Sequence, residues 1–337
     1  MKYLKWIGIA VFILSVLFAG CLFWASSSSL AEKDLSFIKQ FNVGKRTVSP
    51  DTISVMTYNI GYLSGMSNNL PVREDRRFFQ SRLHRAVKLF NDVKPGIICF
   101  QEIDFHSNRS HFVNQLDSLA VGGGFAFAAG AVNWDKNYVP FPHWPPSTHF
   151  GKVVSGQAVL SRYPIVRQSR VVLDRPKRNP FYYDAFYLDR LAQVAEIEIG
   201  ERTLILINVH LEAYDRDTRE KQADEAAKIY LQYIDTFPVL LAGDFNSDPS
   251  VEPMQNDKTI AIILRDPRIR MAFSTSQATE RKNTFSSEKP DMKIDYIFYN
   301  SNKIELLDRF VVESAGDISD HLPVAMTFKF KDSGEMQ

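Results

Sequence analysis

Cysteine is scarce in this chain: only Cys21, inside an N-terminal apolar run, and Cys99, inside a strand-like stretch, occur in 337 residues. Two positions so placed build no disulfide framework, and Cys99 reads as ordinary core. An excess of one charge is missing as well, since 40 Lys and Arg against 39 Asp and Glu leave a formal net charge of +1. A protein devoted to bulk nucleic-acid binding carries a surplus of basic residues, so that class is excluded, although a local basic patch is not. Internal repeats and low-complexity tracts are also absent, which argues against solenoids and disordered arrays. What remains is a chain with 45% hydrophobic residues, long enough for one large α/β domain with a proper core.

No acidic residue precedes Glu32. Lys2 and Lys5 open an apolar run from Ile7 to Ala25, followed by Ser26 to Ser29. This is the pattern of an export signal whose basic end stays in the cytoplasm. The run is about long enough to span a bilayer as an uncleaved anchor. Alternatively, Phe18-Ala19-Gly20-Cys21 resembles a bacterial lipobox, with Cys21 lipidated after cleavage; the still-apolar Leu22-Phe23-Trp24 favours the anchor. Residues 1–30 are therefore expected to tether an extracytoplasmic domain to a membrane of a bacterial cell envelope. Residues 31–50 read as a linker, and residues 51–332 as the catalytic domain.

Strand-like and helix-like segments alternate from Ile53 onward. Ile53, Val55, Thr57 and Asn59 share one face of a strand. Arg76–Val93 is helical, with Phe79, Leu83, Ala86, Val87 and Phe90 at three- and four-residue spacing. A strand over Ile97–Glu102 follows, then a helix over Arg109–Leu119 that stops at Val121-Gly122-Gly123-Gly124. Further strands are predicted over Gln157–Leu160, Gln193–Ile199 and Thr203–Leu211, with a hairpin at Gly200-Glu201. Asp217–Ile234 reads as a helix with Asp217 and Glu220 as a capping box. Val239–Asp244, Ile294–Tyr299 and Leu322–Phe330 complete the strands. Asn59, Glu102, His210 and Asp244 fall at the C-terminal ends of theirs, while Asp295 and Asp320-His321 fall at N-terminal ends. The last strands must then run antiparallel to the earlier ones for these side chains to meet at one edge. An aspartate and an asparagine two residues apart, Asp244 and Asn246, together with an Asp-His pair, suit hydrolysis of a phosphate ester.

Taken together, Thr57-Tyr58-Asn59-Ile60, Gln101-Glu102-Ile103, Asn208-Val209-His210-Leu211, Gly243-Asp244-Phe245-Asn246, Lys293-Ile294-Asp295-Tyr296 and Ser319-Asp320-His321 resemble the ordered motifs of the endonuclease/exonuclease/phosphatase superfamily. Each motif alone is common; their joint occurrence in this order over Ile53–Phe330 is specific. The resemblance implies an α/β fold, a four-layer sandwich of two mixed β-sheets packed face to face and flanked by helices. It also implies Mg²⁺, with Mn²⁺ as the alternative ion, held by Glu102 and Asp320 and tied to the phosphate through Asn59. Magnesium prefers oxygen ligands and often takes one or two carboxylates. The resemblance further assigns Asp244 to deprotonating water and Asn246 to orienting it. His321, its tautomer set by Asp295, and His210 would act on the phosphoryl group and the leaving group.

The chain departs from several branches of that family. Abasic-site endonucleases have a Tyr where His210 stands here. The segment Ser155–Pro164 lacks the glutamate of deoxyribonuclease-like members and looks closer to sphingomyelinases and general phosphatases. Between Gly124 and Gly151 lie Phe125, Phe127, Trp134, Tyr138, Phe141, Trp144 and Phe150, read as a loop that dips into a lipid interface or lines a substrate groove, as an insertion packed on the body by its own aromatics, or as rings on which bases stack. Arg73, Arg76, Arg77, Arg82, Arg85 and Lys88 give one helix a basic face, read as solvated, with a weak surface for anionic head groups or nucleic acid as the alternative. The leading expectation is a Mg²⁺-dependent phosphodiesterase or phosphatase favouring phospholipid head groups. A tethered deoxyribonuclease-like enzyme, with nucleic acid as substrate only, is the alternative, and a non-catalytic binding module the third. No obligate protein partner is expected.

Overall fold

A computed structural model describes residues 2–43, 50–252, 254–273 and 282–331. In chain order the elements are α1 (Lys2–Ser26), β1 (Ser36–Gln40), β2 (Ile53–Asn59), α2 (Arg76–Val93), β3 (Ile97–Asp104), α3 (Gln115–Gly123), β4 (Phe127–Val139), β5 (Gly151–Ser161), β6 (Ile165–Val172), α4 (Phe181–Asp184), β7 (Leu191–Ile199), β8 (Arg202–His210), α5 (Arg216–Leu231), β9 (Val239–Asp244), α6 (Thr259–Ile263), β10 (Ile269–Met271), β11 (Asp295–Asn300), β12 (Ile304–Val311) and β13 (Val324–Phe330).

The strands form a seven-stranded sheet, in the order β1-β4-β5-β3-β2-β13-β12, and a six-stranded sheet, in the order β10-β11-β9-β8-β7-β6. Period-two alternation decides which side chains enter which layer. Ile53 and Val55 of β2 point between the sheets, where they meet Ile97, Cys99, Leu204, Leu206, Leu240 and Ala242. Met56 and Tyr58 point the other way and pack with Phe79, Ala86, Phe90 and Leu119 of α2 and α3. On the far face of the second sheet, Ile205, Ile207 and Leu241 pack with Ala223, Ala226 and Tyr230 of α5 and Ile260 of α6. The result is the expected helix–sheet–sheet–helix sandwich. Each large side chain so buried contributes about 1.5–3 kcal/mol.

A network of polar side chains crosses the layer between the sheets, with Asn208 at its centre. Asn208 Nδ2 donates to Phe100 O at 3.0 Å, Gln193 Oε1 at 3.1 Å and Ala158 O at 3.3 Å, while its Oδ1 accepts from Gln101 Nε2 at 2.6 Å. The amide thus joins both sheets, and its burial costs little because its donors and acceptor are used.

Several boundaries differ from the sequence reading. The stretch read as a linker supplies β1, which pairs antiparallel with β4 at the edge of the larger sheet. The helix expected over Arg109–Leu119 begins later, because Arg109 is buried in a two-pronged ion pair with Asp104 (2.8 and 3.1 Å) and Asn114 caps α3 by accepting from Asp117 N. That helix runs through Gly122 and Gly123; Gly124, at φ +69°, closes it. The true cap of α5 is Asp215, accepting from Thr218 N at 2.7 Å, and Glu220 instead accepts from Lys258 N, so Asp217 and Glu220 form no capping box. Half of the aromatic segment is strand β4, which carries the buried Phe127 and Trp134; Phe125 before it and Phe150 at the end of the β4–β5 connection are buried too, and the exposed part of that connection holds Trp144. On α2, Arg82 and Arg85 bind Asp317 at 2.9 and 2.6 Å, which accounts for part of the basic face.

Within α1, Tyr3–Ser26 is 24 residues long and apolar enough to cross a membrane. At about 1.5 Å per residue it reaches about 36 Å, against a hydrocarbon layer of about 30 Å.

Candidate functional site

Register brings the polar residues together before any side chain is considered. Parallel pairing sets His210 at the end of β8 beside Asp244 at the end of β9, and antiparallel pairing sets Asp295 at the start of β11 opposite Asp244. In the other sheet β2 and β3 run parallel and end together, and β13 runs antiparallel to β2, so the segment Ser319-Asp320-His321 returns to the same edge. The antiparallel last strands are as expected. Gly243 makes the close pairing of β9 and β8 feasible: a Cβ there would lie 1.9 Å from Val209 O, and its φ is +149°.

Glu102 reaches the site by a backbone device. Simple alternation would put it on the helix side with Ile98 and Phe100. Between Phe100 and Ile103, however, β3 holds one more residue than β5 opposite, and Glu102 sits at φ +52°. This bulge turns the carboxylate into the cleft. Asn246 also adopts a positive φ, +49°, which an asparagine tolerates well.

Seven of the eight expected residues, Asn59, Glu102, His210, Asp244, Asn246, Asp320 and His321, line one cleft of about 540 Å³. Asp295 lies behind His321, accepting from its Nδ1 at 3.0 Å. The contacts form a chain across the gap between the sheets: Glu102 Oε1 to His210 Nε2 3.9 Å, His210 Nε2 to Asp244 Oδ2 3.5 Å, Asp244 Oδ2 to His321 Nε2 3.8 Å. Asn59 Nδ2 donates to Asp244 Oδ2 at 2.9 Å and Asn246 N donates to Asp244 Oδ1 at 2.9 Å. The Asn246 side chain, by contrast, donates to Leu211 O at 3.0 Å and holds the loop rather than pointing into open space. Asn68 bridges the two outer acids, 3.0 Å from Glu102 Oε2 and 3.3 Å from Asp320 Oδ2.

Burial and charge push the titrating groups apart. Desolvation opposes a charged His321, yet Asp295 and Asp244 outweigh it and raise its pKa to about 10. Asp244 is lifted to about 7, first by burial and then by Asp295, with His321 pulling the other way. Burial, followed by Arg190 and His321, drives His210 well below its usual range, so it is neutral. Glu102 is raised by burial and by the Asp320 charge. An acid near neutrality beside an imidazolium is the separation of roles that acid–base catalysis needs.

Two groupings suit a cation. The ligand atoms of Asp244, Asp295 and His321 lie within 4.8 Å of one another. Each of these, however, already spends an atom on a neighbour in the site. Glu102 and Asp320 form an all-oxygen pair whose mutual repulsion a divalent ion would relieve, and hard cations favour such donors. The residues present therefore fit a hard divalent cation.

Three contributors escaped the sequence reading. Asn68 lies in a polar loop with nothing to mark it. Arg190, just ahead of β7, is buried in the cleft wall, and its Nε and Nη1 have no hydrogen-bond partner among the described residues. Glu212, 3.6 Å from Arg190 Nε, is fixed by the Tyr187 hydroxyl at 2.7 Å. A charge at the mouth of an apolar strand was the only signal for Arg190.

The chain matches the model of the Endonuclease/Exonuclease/phosphatase family over residues 56–321. A search of curated proteins found no match. Similar solved structures include an endonuclease/exonuclease/phosphatase from Beutenbergia cavernae DSM 12333 (17% identity, TM-score 0.56, covering 84% of this chain and 73% of that one). Another comes from Bacteroides vulgatus (16%, 0.58, 83% and 99%). The human Nocturnin catalytic domain with bound sulfate anion is similar too (16%, 0.57, 90% and 100%). At such identities the likeness establishes the fold.

Proposed function

Because this chain belongs to the endonuclease/exonuclease/phosphatase family, whose members are generally metal-dependent hydrolases of phosphoester bonds, we propose that it hydrolyses a phosphate ester of phospholipid head groups with Mg²⁺, tethered outside the cytoplasm by its N-terminal segment. The observation that carries this reading is the unbroken run of contacts from Glu102 through His210 and Asp244 to His321 inside one cleft. Glu102 and Asp320 would hold the cation, and Asn59 would tie its shell to the phosphate. The bound cation supplies charge neutralisation on the phosphoryl oxygens.

The chain's own groups do the rest. Asp244, poised near neutrality, accepts a proton from the attacking water as the water oxygen bonds to phosphorus and the ester P–O bond breaks. Asn59 and the Asn246 backbone hold that carboxylate in place. His321, kept cationic by Asp295, presents Nε2 to the phosphoryl oxygens. Neutral His210 hydrogen-bonds to the phosphate or the leaving group. Arg190, in the cleft wall with its Nε held 3.6 Å from Glu212, adds positive charge beside the substrate's phosphate. The aromatic residues around the cleft favour a lipid ester over a nucleic acid.

The test is a substrate panel with the full chain in detergent micelles: sphingomyelin, phosphatidylcholine, inositol phosphates and plasmid DNA, each with Mg²⁺ and with chelator. Lipid turnover that needs Mg²⁺ and disappears in Asp244→Ala supports the proposal. Plasmid cleavage without lipid turnover supports the tethered nuclease instead, and no turnover in any arm leaves a binding module.

A further inference from the structure

The end of α1 is fastened to the wall of the cleft. Ser29 N and Leu30 N donate to Asp135 Oδ2 at 2.8 and 2.7 Å, and Ser29 Oγ donates to Asp135 Oδ1 at 2.7 Å. Lys136 Nζ donates to Ser26 O at 2.8 Å. Asn137 Nδ2 donates to Trp24 O at 3.2 Å and Ser27 Oγ at 3.0 Å. Three consecutive residues of β4 thus grip the point where the apolar helix ends. A flexible tether would show no such grip; here the segment leaves the helix directly into the fold.

The clamp lies close to the cleft wall. Val139, two residues beyond Asn137, already lines the cleft; at about 3.3 Å per strand residue that is about 7 Å away. The head-group layer on each side of a bilayer is about 5–8 Å thick. A membrane crossed by α1, or entered by a lipid on Cys21, would therefore have its outer surface at the cleft mouth.

That mouth carries side chains suited to the interface. Trp144 and Phe181 are each 77% exposed and Tyr214 84%. Beside Phe181, Lys177 and Arg178 are exposed as well. Amphipathic rings with adjacent basic residues favour the head-group region, the basic ones through attraction to anionic lipid. We propose that the rim formed by Trp144, Phe181, Tyr214, Lys177 and Arg178 seats in the outer leaflet of the membrane that α1 enters, so that the substrate is a phosphate ester of a lipid drawn from that same leaflet.

This rests on the phosphoesterase reading, and the experiment separates the two. Full chain is reconstituted into vesicles of phosphatidylcholine and phosphatidylglycerol with Mg²⁺. Three substrates are compared: phosphatidylcholine in the protein-bearing vesicles, phosphatidylcholine in separate protein-free vesicles, and water-soluble bis(p-nitrophenyl) phosphate. The expected result is faster hydrolysis in the protein's own vesicles. The double variant Trp144→Ser, Phe181→Ser, at exposed positions outside the cleft lining, lowers that rate by about tenfold and leaves the soluble diester rate unchanged. Asp135→Ala, which frees the clamp, has the same selective effect. If the parent hydrolyses neither the lipid nor the soluble diester, the phosphoesterase reading fails. If the diester is hydrolysed but the double variant keeps its full lipid rate, or changes only its oligomeric state, the rim proposal is overturned.

Discussion

Replacing Glu102 by glutamine separates a metal ligand from a structural acid. In the folded chain Glu102 Oε2 accepts from Asn68 Nδ2 at 3.0 Å, and the same amide lies 3.3 Å from Asp320 Oδ2. Burial and Asp320 both disfavour the Glu102 charge, as its raised pKa records. Glutamine keeps the volume and an oxygen for Asn68 but removes the repulsion. Two like charges a few ångströms apart in an effective dielectric of about 20 repel by about 2–4 kcal/mol. Since partial protonation already relieves some of this, the metal-free variant gains about 1–3 kcal/mol. Each kcal/mol is worth about 2–4 °C of Tm in a domain of this size. The assay is calorimetric melting of the full chain in detergent, with chelator and with excess Mg²⁺. The parent melts lower in chelator and is stabilised by Mg²⁺, by about 2.7 kcal/mol at a hundredfold excess over Kd. The variant melts higher than the parent in chelator, ignores Mg²⁺ and loses hydrolysis. A variant that melts below the parent in chelator, yet still gains from Mg²⁺, would refute the reasoning and move the cation to Asp244, Asp295 and His321.

Two further substitutions probe the groups behind the site. Asp295→Asn removes the carboxylate that keeps His321 charged and lowers kcat on a soluble diester by about 10²–10⁴; near-parental turnover removes His321 from its role. The same variant carries a pH signature. Because the folded state raises His321 to about 10 from 6.5, it holds this proton more tightly than the unfolded chain. That stabilisation is complete below pH 6.5 and is lost as pH rises through about 10. In chelator the parent's Tm therefore falls across that window, and Asp295→Asn flattens the fall; an identical slope would show that Asp295 does not hold the proton. Away from the cleft, Asn208→Ala strands Phe100 O and Gln193 Oε1 between the sheets, at a cost of about 2–5 kcal/mol in urea unfolding. Turnover per folded molecule stays at the parental level, and a stability loss under about 1 kcal/mol contradicts the bridging role.

The sequence makes the site legible wherever strand alternation runs undisturbed. Asn59 and Asp244 follow Val55 and Ala242 on the inner faces of β2 and β9, and the structure places them there. Their meeting also required the antiparallel return of β11 and β13, which follows from polar residues at opposite strand ends. Periodicity failed where burial is two-sided. Residues 127–132 of β4 are small or apolar on both faces because β1 and β5 flank the strand and layers cover it, so no alternation separates it from a loop. It failed again at α3, where Gly122-Gly123 look like a break but continue a helix already set by the Asn114 cap and the packing of Leu116 and Leu119. Glu102 shows the limit most clearly. Its motif and its place at a strand end single it out, but period two alone would set its side chain on the helix face with Ile98 and Phe100. One inserted residue in β3, with no glycine to announce it, turns the carboxylate from the helix layer into the cleft. A bulge is a property of two strands in register, so a single strand's pattern cannot contain it. For the same reason Arg190 stayed hidden: its partner Glu212 is fixed by Tyr187 and Gln222 from other elements, and that neighbourhood exists only once the sheet is built.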